Sequence, residues 1–92
     1  MKRFADVISR QLDLFARDDL LEEARDAKER YDRAPRDEAE EAFGDYMDVV
    51  DATKDALAEM RDAFARTLDG ETSEEYEEAF EQAVRKRWRW LA

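Results

Sequence analysis

Along the second half of the chain Phe43, Val50, Leu57 and Phe64 recur every seven residues, and Tyr46, Thr53, Met60 and Thr67 follow three places after each. That spacing is a run of a and d positions, which places one apolar stripe along a helix. Ala42, Val49, Ala56 and Ala63 precede the a positions and widen the stripe, so this helix has more than one neighbour. The first third repeats at the same interval through Val7, Leu14 and Leu21 and continues to Lys28, with a second stripe, Ile8, Leu12 and Phe15, confined to its N-terminal half. Tyr76, Phe80, Ala83, Val84 and Leu91 form a third apolar set near the C-terminus.

Punctuation divides these patterns into elements. The only proline is Pro35, and helices usually end before the residue that precedes a proline, so a first helix spans about 2–33. Asp37 with Glu40 reads as an N-cap and its acidic partner, and Gly70 as a left-handed C-cap, which gives a second helix over about 37–69. Thr72 and Glu75 form a capping-box pattern for a third helix over about 73–91. The predicted fold is all-α and a single helical domain, residues 1–92: a long antiparallel hairpin with a shorter third helix. Folding the chain back at Pro35 pairs Val7 with Phe64, Leu14 with Leu57, Leu21 with Val50 and Lys28 with Phe43, residue numbers that all sum to 71.

At 1.5 Å per residue the hairpin arms are about 48 Å long and the third helix about 28 Å, so the half of the hairpin near the turn is left uncovered. Apolar residues continue there nonetheless. Leu20, Ala24, Ala27 and Tyr31 on the first arm and Ala39, Phe43, Tyr46 and Val49 on the second are the candidate interface, and the pattern predicts a helical bundle completed by a homodimer or higher homo-oligomer.

Composition narrows the chemistry. The 92 residues include no cysteine and no histidine, which removes disulfides, thiolate zinc sites, the commonest transition-metal ligand and the commonest general base. The Glu-x-x-His of di-iron bundles and the Asp-x-Asp-x-Asp-Gly of calcium loops are both missing, so no catalytic residue, metal site or cofactor is expected. Two glycines and one proline among abundant Ala, Glu, Arg and Leu favour helix throughout. Without an apolar run long enough for a signal peptide or a membrane span, the expected location is cytoplasmic.

Net charge is −10, which opposes docking to nucleic acid or an anionic membrane. Residues 35–70 hold eleven acids against four bases, and the outer face of the second helix, including Asp45, Asp48, Asp55, Glu59 and Asp62, is a candidate surface for a basic protein partner. The opposite signal is the run Arg85-Lys86-Arg87-Trp88-Arg89-Trp90, whose interleaved cations and indoles suit a membrane surface or a single-strand stacking platform. Cations in the last turns of a helix also offset its dipole, and tryptophans serve as core anchors; the structural reading is the favoured one.

Phe4, Gln11, Asp18 and Arg25 occupy a positions of the first helix, where Asp18 would face Thr53 and Arg25 would face Tyr46, unless the helix rotates to put its polar residues at the edge. Length and acidity resemble the WXG100 helical hairpins, but the turn, Arg33-Ala34-Pro35-Arg36, lacks their Trp-x-Gly. The expected function is a noncatalytic oligomeric protein–protein interaction module, an adaptor, scaffold or regulator. The alternatives are a nucleic-acid- or membrane-associated protein acting through the C-terminal run, and a small acidic inhibitor or antitoxin of a basic protein.

Overall fold

A computed structural model describes residues 3–91, and in them the chain is all-helical. Four α-helices follow in order, α1 (Ala5–Phe15), α2 (Asp19–Arg33), α3 (Ala39–Ala65) and α4 (Gly70–Arg87), and a single 3-10 turn, Arg89–Leu91, ends the described chain. The molecule measures 51 × 20 × 19 Å, so it is one long helix in length and two to three helices in cross-section.

The first arm is not one helix. Leu14 and Phe15 accept from the amides of Arg17 and Asp18, and Asp18, in an extended conformation, then caps α2 by accepting from the Leu20 amide at 2.9 Å. The reason lies in the pattern itself. At 100° per residue, Ile8, Leu12 and Phe15 would point about 150° away from Leu21, Ala24, Ala27 and Tyr31 on an unbroken helix. Breaking the helix at Ala16–Asp18 turns both stripes inward, and all but the half-buried Tyr31 are buried. The expected start at Lys2 lies outside the described residues.

The break also changes the register. Leu14 is 64% exposed, so the expected Leu14–Leu57 layer does not form. Lys28 reaches along its own helix to Asp32, 2.8 Å away, and Phe43 instead meets Tyr31, ring centroids 5.2 Å apart. Between α2 and α3 the Thr53 hydroxyl, with no exposed surface, donates to the Val49 carbonyl at 2.7 Å and lies 3.5 Å from the Leu20 carbonyl. A back-bond of this kind satisfies a hydroxyl that would otherwise be costly to bury.

Helix ends differ from those expected as well. The N-cap of α3 is Glu38, not Asp37, and makes no side-chain cap bond. Gly70 has no positive φ; it is the first residue of α4, and Asp69 rather than Thr72 is the cap, its carboxylate accepting from the Thr72 amide at 2.9 Å. That bond holds the Asp69 carboxyl below the usual carboxylate range.

α4 runs parallel to α1 and antiparallel to α3. Tyr76 is the pivot at one end: Phe4 lies edge-on to its ring, Phe64 packs at 4.7 Å, and its hydroxyl donates to the Gln11 side-chain oxygen at 2.8 Å. Burial pushes the Tyr76 phenol up from its ordinary pKa. At the other end Phe15 lies edge-on to Trp88. Burying Leu57, Phe80, Trp88 and Leu91 between these helices contributes about 1.5–3 kcal/mol for each side chain.

Candidate interaction surfaces

The C-terminal basic-aromatic run is built into the fold at its indoles. Trp88 is 3% exposed, and the chain then turns so that the Trp90 carbonyl accepts from the Tyr46 hydroxyl at 2.9 Å. Arg25 lies over the half-buried Trp90 ring at 5.9 Å, and Arg87 over Trp88 at 5.2 Å while pairing with Asp13 of α1 at 2.8 Å. Asp13 is thus the acid of the first arm that this run meets. Arg85, Lys86 and Arg89 remain exposed. No face of this segment presents two free indoles between cations, because one indole is core and the other lies half-buried under Arg25 of α2.

This segment also reaches farther along the hairpin than the length of a single helix suggests. Covered by Trp90, Tyr46 is buried within the chain. Ala24 and Ala27 are buried too, because their small side chains let α2 lie close against α3. Of the eight residues expected at an interface, these three belong to the interior of the single chain, and Leu20, Tyr31, Ala39 and Val49 are half-buried. Phe43, 44% exposed, is the one that faces outward.

Phe43 does not stand alone. Tyr31 of α2 lies against it, and the Tyr31 ring continues to Tyr46 at 6.1 Å, nearly parallel, at 16°. Three rings thus run from the covered part of the hairpin out to the uncovered turn half. The chain's C-terminal turn seals the inner end of that row and stops short of the outer one.

The polar a positions have separate fates. Gln11 accepts from Tyr76, Asp18 caps α2, and Arg25 lies over Trp90, so neither the Asp18–Thr53 pair nor the Arg25–Tyr46 pair forms. The position of Asp18 was open to reading from its type, since Asp is a strong N-cap residue, but the heptad concealed it.

Acids on the outer side of α3 form a continuous ridge. Glu41, Asp45, Asp48, Asp55 and Glu59 are exposed, and Asp62 is half-buried beside Arg61, which also reaches Glu81 of α4 at 2.6 Å. The Arg61 contact keeps the Asp62 carboxyl below its ordinary pKa. Among the described residues no group of carboxylates is gathered closely enough to hold a metal ion, and no helix is long and apolar enough to cross a membrane. No protein-family model, curated protein or solved structure matches the chain.

Proposed function

We propose that this protein is a noncatalytic helical interaction module that works as a homo-oligomer, with the aromatic surface at the turn half as its contact. The observation that carries the reading is Phe43: an aromatic side chain 44% exposed, backed by the half-buried Tyr31, at the end of the hairpin that α4 does not reach. Exposed aromatics backed by rigid helices are the side chains that anchor protein interfaces, because they bury much apolar area while losing little conformational freedom. A second copy, related by a two-fold axis, would bring two such hairpin ends together as a four-helix bundle.

The chain has no cysteine, so Glu40→Cys on α3, one turn before Phe43, supplies a single thiol whose cross-links can only join two copies. A short bis-maleimide is expected to trap a covalent dimer from this variant and little from Thr67→Cys at the far end of the rod. Equal yields at both positions, or none at position 40, would refute the proposed contact.

A further inference from the structure

Gly44 stands exposed inside α3 beside Phe43, and a Cβ built on it meets nothing within 4 Å. Glycine is a poor helix residue, and Gly44 has no positive φ that would call for it. Nothing packed within the single chain uses its missing side chain. Glu40 and Met47 lie about one turn before and one turn after, and steps of three and four put Phe43 and Gly44 side by side across the row these two define. This face of α3 thus carries a protruding ring on one side and a hollow on the other, about 1.5 Å apart along the axis.

We infer that in the dimer proposed above, on which this inference rests, the two α3 helices cross at Gly44 with the two-fold axis running along them, so that the Phe43 ring of each copy fits over Gly44 of the other. A two-fold axis along a helix pair exchanges the left and right sides of the facing surfaces, and a knob beside a hollow is then its own complement. The absent side chain lets the backbones approach while ring area is buried. An unlike partner would need both a hollow for Phe43 and a knob for Gly44, side by side; a second copy carries both.

Charge does not hold this crossing together. Glu40 and Met47 lie on its centre line, where each meets its own equivalent, and exposed Asp51 follows one turn after Met47. The nearest bases are Arg36, before α3 begins, and Lys54, beyond Asp51. Facing Glu40 carboxylates repel, and salt screens that repulsion because both are exposed. Shape and apolar area therefore carry the contact, and removing the Glu40 charge tightens it.

Sedimentation equilibrium of the full chain in about 0.15 M salt compares the wild type with Gly44→Ala, Gly44→Leu, Glu40→Gln and Ala52→Leu. Ala52 is exposed and faces away from this row, so it is the control. Association is expected to weaken at least roughly tenfold for Gly44→Leu, less for Gly44→Ala and not at all for Ala52→Leu, whereas Glu40→Gln associates more tightly than the wild type. Thermal unfolding at concentrations where every chain is monomeric is expected to show Gly44→Ala at least as stable as the wild type, because its methyl group meets nothing in the single chain. Gly44→Leu associating as tightly as the wild type, Ala52→Leu weakened as much as Gly44→Leu, or Glu40→Gln no tighter than the wild type overturns the crossing and leaves the Phe43 contact to be judged by Phe43→Ser. A wild type that stays monomeric overturns both.

Discussion

Single side chains at the helix ends set where each helix begins, and the chemistry of Asp69 makes one of them testable. Asp69 caps α4 as a carboxylate, and its bond from the Thr72 amide favours the charged form. With the folded pKa below the unfolded one, the cap's full contribution is present above the unfolded value and is lost as pH falls through the folded value. Stability of the wild type should therefore fall, relative to Asp69→Asn, as pH drops through and below the ordinary carboxylate range, since asparagine caps without titrating. A difference between the two that stays constant across that range would count against the assignment. Gly44 is the other informative residue: it lies inside α3, and a Cβ built there has nothing within 4 Å. Gly44→Ala should raise stability by about 1 kcal/mol and the melting temperature by roughly 4–8 °C. A loss of stability would show that something approaches α3 closely at this point. The caps were only partly legible in the sequence, because Gly70 and Thr72 fit capping patterns there, while the backbone places the cap of α4 at Asp69.

At the scale of elements, the all-helical fold and the position of the turn at Pro35 follow from composition and hydrophobic period. The break between α1 and α2 was legible too, although a heptad through Val7, Leu14 and Leu21 hid it. The angle between the two apolar stripes forbids a straight helix from burying both on one side, and Asp18-Asp19 supplies the cap exactly where a bend is needed. Asp18→Ala should therefore cost about 1 kcal/mol, measured by denaturant unfolding, because the Leu20 amide in the first turn of α2 loses its acceptor. A more stable variant with higher helical ellipticity would mean that α1 and α2 prefer to be continuous. The reach of the C-terminal turn was not legible. Its contact depends on Trp88 leaving helical geometry, at φ −128° and ψ 67°, so that Trp90 swings onto Tyr46 and Arg25, and no local pattern announces that.

For the molecule as a whole, the length of the hairpin decides which surfaces are left over. A rod 51 Å long is covered by α4 and the C-terminal turn over only part of its length, and the row of rings from Tyr46 through Tyr31 to Phe43 runs out of the covered part. The sequence located this end of the hairpin but overstated its openness, because Ala24, Ala27 and Tyr46 are consumed within the chain. What remains is a smaller contact centred on one phenylalanine, and its loss should act on association without unfolding the monomer. The most direct test is sedimentation equilibrium of the wild type beside Phe43→Ser, each extrapolated to low concentration and followed upward. The account predicts a wild type that passes from monomer to dimer, and a Phe43→Ser chain, still helical, that self-associates more weakly by at least roughly tenfold. A wild type that remains monomeric, or a variant that associates as tightly as the wild type, would contradict it.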